Sequence, residues 1–378
     1  MLQTLVVFLT ILIGWILSCS KAKKTNRWTY VLIGIIIYSS FMGMRYGLGV
    51  DFFNYKQDFY LREKGLAYNS IEPLFDAWMS FFATSGLGYG LFLFSVAFFQ
   101  ILFIFLFIKK ENKLWLPFVL SFILSSVWLG YCNGLRQNLA FCVFVYAFQY
   151  IGLRKPFKYV ILITLATLIH KSAALLIIFY PISNLRKGWI NTVKGRIMIF
   201  VISLILMNMN MVQALLQQLD YLIVLLGYEG YLENLNSSYV LDADLKLGVG
   251  FFIWAVIDII CLLKSQYVKA YFLRSSISVS MPAVYDMYVV GLFINNAFVA
   301  SKAIGRINYY FLGWRVIILA FTIAWALKND RITAYTILFL LLLIFLSVIY
   351  QGETNTAIYI FNWQKDKFSL QPFHYLDI

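Results

Sequence analysis

Charged residues are scarce: Asp, Glu, Lys and Arg supply 13% of the 378 residues, whereas 62% are hydrophobic. Soluble domains carry roughly 25% charge, so a soluble globular class is excluded. Nowhere do the apolar runs leave the ~100 residues that an independent soluble domain needs. Low-complexity segments and internal repeats are missing too. The four cysteines (Cys19, Cys132, Cys142 and Cys261) lie in or beside apolar runs without metal-ligand spacing. That excludes a disulfide framework and predicts buried free thiols. No pair of carboxylates or histidines has ligand spacing, and "DAD" at Asp242 and Asp244 is a short coincidence in an acidic loop. The first apolar segment, 2–18, lacks a basic leader, because Lys21, Lys23, Lys24 and Arg27 come after it. A secretory signal has the opposite layout. The segment is expected to be an uncleaved helix whose C-terminal end faces the cytoplasm.

What is present is apolar length. Runs of about seventeen or more residues recur throughout, enough to cross a ~30 Å hydrocarbon layer as helices. The chain reads as all-α, a polytopic transmembrane helical bundle forming one transmembrane domain over 1–378. The net charge of +14 does not point to nucleic acid, because the basic residues cluster in short loops. Loops at 19–29, 109–113, 152–158, 185–196, 264–274 and 328–331 hold nineteen of the thirty-one, which is the positive-inside pattern. Placing them in the cytoplasm yields about twelve crossings: 2–18, 30–45, 87–108, 114–130, 136–151, 158–170, 172–184, 197–213, 247–263, 281–301, 308–327 and 332–350. Residues 71–85 would invert everything downstream if they spanned, so they are read as a re-entrant or interfacial helix. Residues 158–184 are short for two spans and predict a tight hairpin with its tip outside. The outer segments are then 45–71, 214–246 and the tail 351–378, rich in acids, tyrosines and asparagines. Residues 214–246 predict an amphipathic surface helix. Long loops on one face carry function, so the working face is expected outside the cytoplasm.

Once the cytoplasmic anchors are set aside, a few basic residues remain where outer helix ends meet the bilayer: Arg45, Arg136, Lys171, Arg306 and, deeper, Arg315. Any one of them could be a snorkelling anchor. Each, however, has polar neighbours at helical spacing. Asn133, Arg136 and Gln137 stand at i, i+3 and i+4. After Arg45 come Asp51, Asn54, Tyr55 and Asp58, a stripe on a short helix. Gly43, Gly47 and Gly49 bracket Arg45 and permit close backbone approach. "GRINYYF" puts Tyr309 and Tyr310 beside Arg306, and "LIHKSAAL" supplies His170, Lys171 and Ser172. Taken alone, His170 reads as a structural histidine. Arginine keeps its charge in any environment and matches phosphate oxygens with a planar fork. Arginines converging at the outer lipid boundary suit a pyrophosphate whose tail lies in the membrane.

Several blocks together resemble one family. "MRYGLGVDFFNY", "EPLF" at 72–75, "GLRQNLA" at 134–140, "LIHKSAAL" at 168–175 and "GRINYYF" at 305–311 resemble the EpsG-like bacterial polysaccharide polymerases. Those proteins are similar to Wzy-type O-antigen and capsule polymerases and to membrane glycosyltransferases of the O-antigen polymerase/ligase type. The C-terminal "QPFHYLDI" is a looser match, with phenylalanine after Pro372, so His374 is given no catalytic weight. The resemblance implies metal-independent joining of repeat units carried on undecaprenyl pyrophosphate, at the outer face of the bacterial inner membrane. Membrane lipids surround such a protein, and a chain-length regulator and a flippase are its implied partners.

Carried onto this chain, the family's basic positions are Arg45, Arg136 and Arg306, its histidine is His170 and its aspartate is Asp51. The expected chemistry follows. Negative charge gathers on the departing pyrophosphate, and arginines aimed at it stabilise the transition state. Arg136 and Arg306 are assigned to that charge with Arg45 and Lys171 assisting, and Asn133, Gln137 and Tyr309 line the substrate. His170, or alternatively Asp51, takes the acceptor hydroxyl's proton. A lipid-linked oligosaccharide flippase and a membrane O-acyltransferase remain the rival readings. Arg315, Asp258 and Asp286 are the intramembrane charges that favour the flippase.

Overall fold

The computed structural model describes residues 2–22, 28–66, 72–184, 192–207, 248–273, 275, 281–298, 302–350 and 358–367. The 214–246 segment, the "DAD" pair and His374 lie outside them. The chain forms two compact units, 1–184 with 326–378 and 185–325.

In the first unit, α1 (Leu2–Ala22) and α2 (Trp28–Met44) pack together, and α2 also lies along α5 (Gly88–Ile108). The α2–α5 crossing is close because both helices present glycine. A Cβ on Gly43 would sit 2.7 Å from the Gly90 carbonyl oxygen, nearer than any side chain tolerates. Aromatic rings fill the space beneath, with Trp15 and Tyr38 stacked at 5.4 Å and Trp15 and Phe105 at 6.0 Å. On the other side of α5 lies α8 (Leu135–Gly152), which packs against α9 (Pro156–Ile169). α6 (Trp115–Leu124) contacts α1 and the C-terminal apolar helix Arg331–Tyr350. Two short helices, α3 (Phe52–Glu63) and α4 (Pro73–Thr84), pack on each other, and α4 reaches α5 and α9.

A two-residue strand β1 (Arg45–Tyr46) pairs antiparallel with β2 (Ile360–Phe361). The tail is fastened there by polar bonds. Tyr359 donates its amide to Thr4 Oγ1 at 3.0 Å and its hydroxyl to the Phe41 carbonyl at 2.6 Å, while Gln3 donates to Gln364 Oε1 at 2.6 Å.

The second unit is built from α11 (Val193–Met207), α12 (Val249–Leu263), α13 (Ser265–Tyr271), α14 (Met281–Ala297) and α15 (Lys302–Leu312), with most of α16 (Trp314–Asn329). α14 packs against α11 and α15. The α14–α15 contact also needs a glycine, since a Cβ on Gly291 would lie 2.6 Å from the Leu312 nitrogen. Arg196 is wholly buried here. It lies over the Tyr285 ring at 4.7 Å, donates to Ser265 Oγ at 3.2 Å and faces Asp286 at 3.9 Å.

Among the described residues the chain is all-α apart from the small β pair, with apolar helices able to span a membrane. The count of crossings differs from the sequence expectation of about twelve. Among the described residues four helices are long and apolar enough, Leu2–Ser20, Gly88–Ile108, Ile304–Asn329 and Arg331–Tyr350, or five if the bent pair Val249–Leu263 and Ser265–Tyr271 is one span. Continuous hydropathy had concealed helix breaks. The expected span 114–130 stops at Leu124, and the chain turns through Ser126 at φ 58° before α7 (Trp128–Asn133). α9 has 14 residues, a rise of about 21 Å against the ~30 Å of hydrocarbon. The expected 172–184 span is a 3₁₀ segment, Lys171–Ile178, followed by α10 (Phe179–Asn184). α4, expected as re-entrant or interfacial, is a 12-residue helix. All four cysteines are buried free thiols.

Candidate functional site

Three helix interruptions in the first unit meet at one polar cluster. The first precedes α4. Pro73 opens that helix and disfavours helical backbone in the residue before it, so Glu72 takes φ −119°, ψ 71°. Glu72 occupies the N-cap position but makes no capping bond with its side chain. The second is Gly134, which ends α7 and starts α8, placing Arg136 in the first turn of α8. The third is His170, whose extended backbone (φ −151°, ψ 113°) separates α9 from the 3₁₀ segment.

Glu72 joins them. Its Oε1 lies 2.5 Å from His170 Nδ1 and 3.3 Å from the Lys171 amide, and its Oε2 accepts from Arg136 at 2.8 Å. The Glu72 side chain is 8% exposed, whereas those of His170 and Arg136 are 26% and 25% exposed. The carboxylate is thus the buried hub and the imidazole and guanidinium are its accessible arms. Burial pushes the Glu72 carboxyl up, but the hydrogen bonds from His170 and Arg136 outweigh it and hold the group down at about 2. Glu72 is therefore ionised and can only accept. His170 Nδ1 therefore donates to it, and Nε2 is the ring nitrogen left for another partner.

The cluster extends through Arg136, which faces Asp58 at 3.7 Å and lies against the rings of Phe75 (5.1 Å) and Tyr55 (5.6 Å). Burial pushes the Tyr55 phenol up to about 12, so Tyr55 stays neutral. Behind them Arg62 is buried, forms an ion pair with Asp58 at 3.3 Å, and donates to Asp76 Oδ1 and to Ser80 Oγ, each at 2.9 Å. Paired charges of this kind fix α3 against α4, and through them the position of Glu72.

Of the other expected residues, Arg45, Asp51, Asn133, Gln137 and Lys171 lie in the first unit. Arg45 is buried and donates to the carbonyls of Met42 (3.0 Å) and Cys132 (3.2 Å). It thereby serves the C-terminal ends of α2 and α7, where unpaired carbonyls favour a cation. Asn133 Oδ1 accepts from the Asp51 amide at 2.8 Å, so the Arg45–Asp51 turn is bound to the α7–α8 break. Gly49 permits that contact: its φ is +97° and a Cβ there would lie 3.2 Å from the Cys132 oxygen. Gln137 is half-buried beside Arg136, and Lys171 is exposed beside His170. Arg306 and Tyr309 are exposed on α15, in the second unit. The sequence reading gave no role to Glu72, although it lies in the "EPLF" block. An acid standing directly before the proline that opens a helix was the signal.

Comparison with known families decides the classification. Residues 28–364 match the EpsG family. The chain belongs to the EpsG family. The match includes every member of the Glu72 cluster and the Arg306 region, and it bears out the resemblance read from the sequence blocks. EpsG membership suggests a polysaccharide-polymerase-like function in a membrane protein. No curated protein and no solved structure matches this EpsG-family chain.

Proposed function

We propose that this protein is a membrane glycosyltransferase that lengthens a polysaccharide. It transfers a glycan from undecaprenyl pyrophosphate to the non-reducing end of another lipid-linked repeat unit, at the outer face of the cytoplasmic membrane. One observation carries the chemistry: the Glu72 carboxylate holds His170 Nδ1 while the imidazole remains partly accessible. In this reading His170 Nε2 takes the proton of the acceptor hydroxyl as that oxygen attacks the anomeric carbon. Glu72 stabilises the imidazolium that forms, as the acid of a hydrolytic triad does. The carbon–oxygen bond to the pyrophosphate breaks, and the departing oxygen carries the electron pair.

Cations near the departing group stabilise it most in the transition state. In the first unit the accessible ones are Arg136 and Lys171. Arg136 has a double function, since it also anchors Glu72. Arg45, with both terminal nitrogens on main-chain carbonyls, supports the turn that presents Asp51. Asn133, Gln137 and Tyr309 are assigned to contacts with the glycan.

The test is complementation of a deletion strain with wild type, His170→Ala and Arg136→Ala, with membrane insertion checked by immunoblot. Glycans are then resolved on gels. A polymerase predicts that both variants display single repeat units at the cell surface and no ladder. Repeat units retained in the inner leaflet would indicate a flippase, and normal ladders lacking acyl groups an acyltransferase.

A further inference from the structure

The second unit contains a cavity of ≈ 170 Å³ lined by the polar residues Asn295, Asn296, Asp258 and Arg315 and by the apolar Trp254, Phe200, Phe251 and Ala255. At about 30 Å³ per water, it has room for roughly five or six waters, the scale of a single sugar ring. Its walls are unusual for a segment this apolar. Arg315 donates to Asp258 Oδ2 at 2.6 Å and lies 4.4 Å from the Trp254 ring centroid, and Tyr288 donates to Asp258 Oδ1 at 2.7 Å. Asn296 is buried and donates to Ser203 Oγ at 3.0 Å, and Asn295 donates to Asn296 Oδ1 at 3.2 Å. Arg315 Nε is buried with no hydrogen-bond partner among the described residues.

Ionisable side chains inside apolar helices are costly and point by default to a functional site. The charges here cancel, because Asp258 and Arg315 neutralise each other. A diphosphate would meet a carboxylate without a compensating surplus of cations. A neutral, hydroxyl-rich ligand would meet amides, a carboxylate and a guanidinium that donate and accept side by side, with aromatic carbon for its C–H faces. We propose that this cavity is a binding subsite for one uncharged sugar residue of the glycan. The proposal rests on the glycan-transfer reading above and adds a specificity-determining site to it, away from the Glu72 cluster in sequence and in a different unit.

The test uses the full chain purified in detergent. Methyl glycosides of common hexoses and N-acetylhexosamines are screened by saturation-transfer difference NMR, with inorganic pyrophosphate followed in parallel by phosphorus NMR. Asn295 is half-buried and is replaceable without touching the Arg315–Asp258 pair, so the variants are Asn295→Ala and the cavity-filling Asn295→Trp. At least one methyl glycoside is expected to bind wild type. Its affinity should fall roughly tenfold in Asn295→Ala, the loss of about one net buried hydrogen bond, and vanish in Asn295→Trp. Binding should persist in His170→Ala, which separates the subsite from turnover. The proposal is overturned if no glycoside binds, if binding ignores both Asn295 changes, or if pyrophosphate is the ligand that depends on Asn295. Intact ladders with no sugar binding would remove the subsite alone. Repeat units retained in the inner leaflet, with Asn295-dependent sugar binding, would remove the polymerase reading alone.

Discussion

Replacing Glu72 with glutamine changes one atom and removes one charge, and the geometry specifies the consequence. Glu72 accepts from His170 Nδ1 at 2.5 Å on one oxygen and from Arg136 at 2.8 Å on the other. A glutamine has one oxygen and one NH₂ group. If its oxygen faces His170, the NH₂ points at Arg136, donor against donor, in a site where Glu72 is 8% exposed. If it flips to satisfy Arg136, the NH₂ faces Nδ1, which must then accept, and the imidazole proton moves to Nε2. In that tautomer the nitrogen meant to take the acceptor's proton already carries one. A trapped tautomer of this kind costs about 10⁴-fold in hydrolytic triads, and general-base catalysis as a whole contributes about 10²–10⁴-fold. Glu72→Gln is therefore expected to lower the polymerisation rate by about 10²–10⁴-fold, with normal membrane insertion. The assay is incorporation of lipid-linked repeat units into polymer by isolated membranes, normalised to protein by immunoblot. A Glu72→Gln rate within a few-fold of wild type would refute the tautomer argument.

The same carboxyl predicts an acid limit to stability. Holding Glu72 near 2 rather than in the ordinary range around 4.5 corresponds to about 3 kcal/mol. Because the folded-state value is the lower one, this stabilisation is complete above about pH 4.5 and is lost as pH falls through about 2. Thermal melts between those pH values should fall more steeply for wild type than for Glu72→Gln. Arg62→Met leaves Asp58 and Asp76 without their buried partner and should cost about 3–5 kcal/mol, read as a lowered detergent-melt midpoint; an unchanged midpoint would show that the network is not structural. Gly49→Ala forces a side chain onto a backbone at φ +97° and against the Cys132 oxygen, for an expected loss of about 1–3 kcal/mol in the same melt.

Periodicity and hydropathy made the class legible, because a chain this apolar can be stable only with its backbone bonds closed inside helices. They did not make the crossings legible. Hydropathy averages over Ser126, Gly134 and His170, the points where the helices stop, and so merges short helices into spans. Two of those breaks, Gly134 and His170, also position the site. While His170 took its role from the family resemblance, the sequence singled out Arg136 from charge in an apolar setting and Asn133 and Asp51 from spacing. It could not pair Asn133 with the Asp51 amide, because that bond joins positions 82 residues apart. Glu72 was missed for a similar reason: its partners lie 64 and 98 residues away, and an isolated acid before a proline resembles an ordinary helix start. Arg45, expected to assist at the pyrophosphate, lies buried against two carbonyls, since a helix end also attracts a cation.

The most direct measurement is glycan transfer by purified protein in proteoliposomes, comparing wild type with His170→Ala and with His170→Ala plus added imidazole. If a Glu72-oriented histidine receives the acceptor's proton, transfer should collapse in the variant while lipid-linked substrate still binds, and imidazole should restore part of it. Transfer by His170→Ala at the wild-type rate would contradict the account.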